Sequence, residues 1–159
     1  MGRINERIFT YLGLLPVHDH YYQPLINPNK HLTKSLRENR HLPGIDFNDK
    51  EQLELLSGFD YNTELIQIPL EQKKPNEFYY NNGSYCSGDA EYLYSMIRHF
   101  KPENIIEIGS GSSTLICQKA IEKNSSESNY KCNHVCIEPY EQPWLNEIGV
   151  ELIRKKLKT

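Results

Sequence analysis

The sequence predicts an α/β protein: a parallel sheet with helical crossovers, preceded by a mostly helical and irregular arm. Three observations lead there. Two short β-rich runs, Asn104 to Ile108 (NIIEI) and His134 to Glu138 (HVCIE), flank a stretch with helical periodicity. A third run begins at Val150. A glycine pair, Gly109 and Gly111, stands where the first run must bend into the helix. Strand, helix, strand, helix, strand is the order of a parallel sheet with right-handed crossovers.

The elements follow in chain order. Over 4–15, Ile4, Ile8, Tyr11, Leu12 and Leu15 fall at helical spacing and Pro16 ends the helix. Residues 17–47 carry Pro24, Pro28, Pro43 and Gly44, so an irregular arm is expected, with one helical turn near 31–39. Asn48 and Glu51 have capping-box spacing, and Leu53, Leu55, Leu56 and Phe59 follow, predicting a helix over 49–58. Tyr61 to Pro69 reads as extended and 71–77 as an exposed loop.

From Ser87 the character changes. Ala90, Leu93, Tyr94, Ile97 and Phe100 mark one face of a helix that Asp89 or Ser87 can cap and Lys101-Pro102 stops. Asn104 to Ile108 is read as a buried strand. Ser112 to Lys123 is a helix with Leu115, Ile116, Ala120 and Ile121 inward, and 124–133 a polar loop. His134 to Glu138 is a second buried strand. Pro143 opens a short helix through Trp144 and Leu145 that ends at Gly149, and Val150 to Ile153 is a third strand. The chain divides into an arm over 1–77 and an α/β part over 78–159.

The bulk properties exclude several classes. A net charge of −3 over 159 residues leaves no basic excess to neutralise nucleic-acid phosphates. No apolar run reaches the roughly 18 residues that suggest a membrane span. Phe9 to Val17 is short, contains Pro16, and is expected to pack on the domain rather than act as a signal peptide. The start MGRINE lacks the Ser or Thr of a myristoylation signal. Cys86, Cys117, Cys132 and Cys136 form no CxxC, which fits reduced thiols in a cytoplasmic protein. Cys132 and Cys136 are spaced too widely for a zinc knuckle. His18-Asp19-His20, His31 and His41 match no common metal spacing, so no metal is expected. Ser110 lies in G-S-G rather than G-x-S-x-G, which argues against a hydrolase elbow.

The chemistry concentrates at the glycine turn. Gly109 and Gly111 allow a sharp bend and close approach of a ligand to the backbone. The helix starting near Ser112 would aim its free N–H groups there. Glu138 ends the next strand, and in such a sheet the carboxyl ends of adjacent strands lie side by side, where an acid can accept both hydroxyls of a ribose. The bland alternative is a tight turn plus a surface glutamate. A dinucleotide fingerprint would need glycine where Thr114 stands, and a P-loop would need a Gly-Lys pair that is absent. Glu107 beside the turn opposes a pyrophosphate and suits a cationic or amine-bearing ligand.

The run Glu107-Ile108-Gly109-Ser110-Gly111-Ser112-Ser113 resembles motif I of the class I S-adenosylmethionine-dependent methyltransferases, acidic-x-Gly-x-Gly-x-Gly. Ser113 replaces the last glycine. The stretch NNGSYCSGDAEYLYSMIRHFKPENIIEIGSGSSTL, followed by CIEPYEQPWL, is similar to bacterial members of that class with an N-terminal helical arm. The likeness covers 78–153 well and 1–77 more loosely. It implies a Rossmann-like sheet and S-adenosylmethionine as cofactor. Its methionine end would lie over Gly109, Ser110 and Gly111, with Glu107 near the ammonium group. Glu138 would hold the ribose, and Pro139 and Tyr140 would line the adenine. Asn81 to Asp89 is expected to fold over the cofactor, against a competing role of Tyr79, Tyr80 and Tyr85 in ordinary packing.

In that family further strands, acceptor contacts and catalytic residues normally follow. The chain is therefore expected to be an N-terminal portion with the sheet incomplete, no assignable catalytic residue and little methyl transfer alone. The open strand edge is a liability for self-association. The acceptor is unknown, and neither a membrane nor a nucleic-acid partner is expected. Two other readings stand beside it: an NAD-binding oxidoreductase half-domain, and a non-catalytic remnant or interaction module.

Overall fold

The computed structural model describes residues 8–9, 11–14, 34–35, 37–38, 41–140 and 143–156. Contacts divide the chain into two units, 1–47 and 48–159. In the first, residues 8, 9 and 11 are helical and the Leu12 N–H reaches the Ile8 carbonyl at 3.1 Å. The rest of the helix expected over 4–15, and most of the turn expected near 31–39, lie outside the described residues.

The second unit is an α/β assembly. Its elements are α1 (Asp49–Ser57), α2 (Asn62–Leu65), α3 (Asp89–Phe100), β1 (Asn104–Ile108), α4 (Ser112–Glu127), β2 (Asn133–Ile137), a 3-10 turn (Pro143–Glu147) and β3 (Glu151–Ile153). The sheet is all-parallel in the order β1-β2-β3. This is the Rossmann-like arrangement, in three strands. Among the described residues no helix is long and apolar enough to cross a membrane.

Several local expectations are corrected. Asn48 stands at the N-cap of α1 as expected, but its backbone is left-handed (φ 51°) and its side chain makes no capping bond. Segment 61–69 is not extended. Leu65 and Ile68, three apart, both turn into the core, so the chain coils, with the Glu64 and Leu65 N–H groups on the Tyr61 carbonyl at 3.0 Å. Neither Asp89 nor Ser87 caps α3; Gly88 is the N-cap, and its N–H donates to Glu91 Oε2 at 2.8 Å. Phe100 points outward. Helix α4 runs past Lys123 to Glu127 despite the polar sequence NSSE, because Asn124 is buried and anchored: its amide donates to the Ile97 carbonyl at 3.0 Å. Tertiary contact overrides propensity there.

Among the described residues, only one face of the sheet is covered. Paired residues share a face, so Glu107, Cys136 and Leu152 stand together, with Ile105 and His134 beside them. That face packs toward α4, and His134 and Cys136 are buried. The other face carries Ile106, Ile108 and Ile153, all exposed, with Val135 and Ile137 half-buried between them. Strand β1 is therefore not the fully buried strand its apolar run suggested: Ile106 and Ile108 are 67% and 68% exposed.

The core lies between α3, α4 and the segments before them. Ala90, Tyr94 and Ile97 of α3 meet Ile116, Cys117, Ala120 and Ile121 of α4, with Phe78, Tyr80, Leu65 and Ile68 beneath. A side chain as large as Ile116 contributes about 1.5–3 kcal/mol when fully buried. One polar knot crosses this core. Arg98, 5% exposed, donates Nε and Nη2 to the two oxygens of Glu64 at 2.8 and 2.9 Å, Nη2 to Glu127 at 2.7 Å, and Nη1 to Asn124 Oδ1. Tyr94 adds a 2.6 Å hydrogen bond to Glu64, and the guanidinium lies over the Tyr61 ring at 5.3 Å. Burial pushes the Glu64 carboxyl up, but the hydrogen bonds from Arg98 and Tyr94 and the Arg98 charge together hold it below its ordinary value.

Removing one member of a buried ion pair strands the other. Glu64→Ala is expected to lower stability by about 3 kcal/mol in urea unfolding. The folded Glu64 carboxyl releases its proton more readily than the unfolded one. Ionised Glu64 therefore stabilises the fold fully above the unfolded carboxyl pKa of about 4.3, and that contribution is lost as pH falls through the lower folded value. Unfolding midpoints measured across that acid range should fall less steeply in Glu64→Ala than in the native chain.

Candidate functional site

The glycine turn follows β1 at its carboxyl end and opens α4. Gly109 has φ 80°, a conformation that L side chains rarely adopt, so glycine is favoured there. Its N–H continues the ladder to the Ile137 carbonyl at 3.0 Å. The chain then bends across the end of β2, and Ser110 becomes buried.

Two carboxylates secure the bend. Glu138, just past β2 and 4% exposed, accepts the Ser110 N–H at 2.9 Å through Oε2 and the Tyr140 N–H at 2.8 Å through Oε1. It thus ties the glycine turn to its own loop. Glu107, on the helix-facing side of β1 with its side chain 13% exposed, accepts the Thr114 hydroxyl at 2.7 Å and the Ser113 hydroxyl. His134 Nε2 lies 3.3 Å from the same carboxylate and Cys136 Sγ 3.7 Å from it. Burial pushes the Glu107 carboxyl up, and the bonds from His134, Ser113 and Thr114 overcome this and leave it below its ordinary value. Burial also pushes the Cys136 thiol up; hydrogen bonds from Ser110 and Thr114 oppose it, and Glu107 reinforces it.

Thr114 closes the arrangement. Fully buried, it accepts the Gly111 N–H at 3.0 Å while donating to Glu107. The N–H groups of Gly109, Ser110 and Gly111 therefore all have partners inside the chain: a strand carbonyl, Glu138 and Thr114. A pyrophosphate needs such donors free.

The sequence-derived residues assemble to differing degrees. Gly109, Ser110, Gly111 and Glu138 form one hydrogen-bonded unit, and half-buried Pro139 follows Glu138 directly. Glu107 belongs to the same turn, but its bonds run down into the helix side. Tyr140 is exposed, with Lys156 Nζ 5.6 Å from its ring centre and Arg154 on its carbonyl. Asn82 organises the preceding loop, its Oδ1 accepting the Ser84 and Tyr85 N–H groups at 2.9 and 2.7 Å. Burial raises the Tyr85 phenol, and the charges of Asp89, Cys117 and Glu107 add to the shift. Sequence reasoning missed Thr114, His134 and Cys136 as partners of Glu107. The alternation of His134 and Cys136 along β2 was the available signal. A separate cleft of about 1020 Å³, lined by Leu56, Phe59, Ile66, Tyr80, Gly88 and Tyr92 among others, includes none of the turn residues.

No known protein family's profile matches the chain, and no solved structure matches it. The chain is similar to an uncharacterized protein of Archaeoglobus fulgidus, 32% identical over 147 residues. That alignment covers 88% of this chain and 65% of the relative, so the chain spans less than two thirds of that protein's length.

Thr114→Val keeps the shape and deletes both hydrogen bonds. It is expected to cost about 1–3 kcal/mol, the cost of leaving a buried polar group unsatisfied, while Thr114→Ser stays close to the native value. Thermal or urea unfolding of the two variants measures the difference.

Proposed function

We propose that the turn between β1 and α4 binds S-adenosylmethionine and that the chain is part of a methyltransferase that uses it. The observation that carries this reading is Glu138. It stands at the carboxyl end of β2, hydrogen-bonded to Ser110 of the neighbouring glycine turn. Carboxyl ends of parallel strands are where open α/β sheets take their ligands. Each Glu138 oxygen spends one lone pair on a backbone N–H, so the other can take a ribose hydroxyl. Because Glu138 is buried, the side chains covering it must part to admit the sugar. The motif I resemblance of Glu107 to Ser113 supports the same ligand, with Gly109, Ser110 and Gly111 under its methionine end and Pro139 beside its adenine.

Two features favour a sulfonium donor over NAD. The turn's N–H groups are engaged internally, which leaves a pyrophosphate poorly served. Two carboxylates flank the turn, and their field favours a cation and opposes a diphosphate. In this reading Tyr85 and the Asn82 loop form the lid side of the site. The four thiols, all free, suit a cytoplasmic setting. The methyl acceptor is left open.

Calorimetric titration of the chain tests the reading. S-adenosylmethionine and its demethylated product should bind saturably, and NAD should not compete. Glu138→Ala should weaken the donor by at least about tenfold, or 1.4 kcal/mol. Tyr85→Ala should weaken it by less. Tight NAD binding with no response to S-adenosylmethionine would overturn the proposal.

A further inference from the structure

Beneath the glycine turn, three side chains from two strands converge. Glu107 comes from β1, and His134 and Cys136 from β2, with Glu107 and Cys136 directly paired across the sheet. They are the group of described residues whose ligand atoms lie close enough together to hold a metal ion. Glu107 Oε2 lies 3.3 Å from His134 Nε2, and Cys136 Sγ lies 3.7 Å from each of them.

These separations define a triangle with a particular shape. Zinc binds nitrogen and oxygen at about 2.0–2.2 Å and sulfur at about 2.3 Å, tetrahedrally. Those bond lengths place N and O about 3.3–3.5 Å apart, and S about 3.5–3.7 Å from either. The observed edges match one face of that tetrahedron. The donor set matches too: one imidazole, one carboxylate and one thiolate, whose two negative charges balance a dication.

The surroundings are those of a supported metal site. Gln118 contacts His134 Nδ1 at 2.9 Å, so its amide, turned to present the carbonyl, accepts the Nδ1 proton when Nε2 is a ligand. Ser113 holds the Glu107 oxygen that faces away from the triangle. Thr114, whose hydroxyl donates to the same Glu107 oxygen at 2.7 Å, stands beside the triangle. His134 and Cys136 are buried, which keeps bulk water from competing for the ion.

We propose that Glu107, His134 and Cys136 form a zinc site that pins the glycine turn to β1 and β2. Without metal the three atoms lie in hydrogen-bonding contact; with zinc, the thiol gives up its proton, the imidazole presents Nε2 unprotonated with its proton on Nδ1, and the three atoms become a coordination triangle. The site shares Glu107 with the donor-binding reading and leaves Glu138 as that reading's charge; its readout is the metal itself, so the two fail separately.

Cobalt(II) titration of the metal-free chain tests it. Uptake of one equivalent with a thiolate-to-cobalt charge-transfer band is expected, displaced by zinc. The band should vanish in Cys136→Ser and persist in Cys117→Ser and Cys132→Ser. If Cys136→Ser does not fold, a Cys86→Ser/Cys117→Ala/Cys132→Ser triple variant, whose sole thiol is Cys136, takes its place: a retained band upholds the site and a lost band overturns it. Absence of the band in the native chain, or its persistence in folded Cys136→Ser, likewise overturns the proposal.

Discussion

The turn between β1 and α4 is held by two carboxylates on neighbouring parallel strands, and the geometry of the whole site depends on that clamp. Glu138 takes the Ser110 N–H from above β2, and Glu107 takes Thr114 and Ser113 from below. A glycine-rich bend has high conformational freedom when unfolded, so fixing it carries a large entropic cost. Charge-assisted hydrogen bonds from buried acids are among the stronger local means of offsetting that cost. The clamp also sets the charge at the turn. It takes up the Ser110 N–H and leaves negative charge close to the bend.

A second polar knot plays the corresponding role in the core. Arg98 joins α2, α3 and the end of α4 through Glu64, Asn124 and Glu127. It accounts for two local surprises, the coil at 61–69 and the extra turn of α4. Each brings a partner to the guanidinium. The sheet, by contrast, is covered by helices on one side alone among the described residues. Parallel sheets are usually covered on both. The row Ile108, Ile137 and Ile153 near the strands' carboxyl ends is the apolar surface this leaves.

Much of this was legible in the sequence. The strands at Asn104 and His134, the helices over Asp89 and Ser112 and the turn at Gly109 are marked by periodicity and by glycine, which are local signals. The nearness of Glu138 to the turn was also legible, since strand ends in such a sheet are neighbours; its bond to the Ser110 N–H was not. What escaped was non-local. Asn124 looks like a loop residue until Arg98 is placed beside it. Cys136 was weighed for metal against Cys132 along the chain, whereas its real neighbours, Glu107 and His134, are set by strand register and side-chain alternation. By sequence Thr114 stands where a dinucleotide fingerprint has glycine; in the structure it is the hydroxyl that closes the turn.

The most direct test of a donor site at this turn is amide mapping. A nitrogen-15-labelled chain titrated with S-adenosylmethionine should show saturating shifts at the amides of Gly109, Ser110, Gly111 and Tyr140, the groups that line or brace Glu138. Saturating shifts confined instead to the cleft beside Phe59 and Tyr92, or none at the turn at ligand saturation, would contradict the assignment.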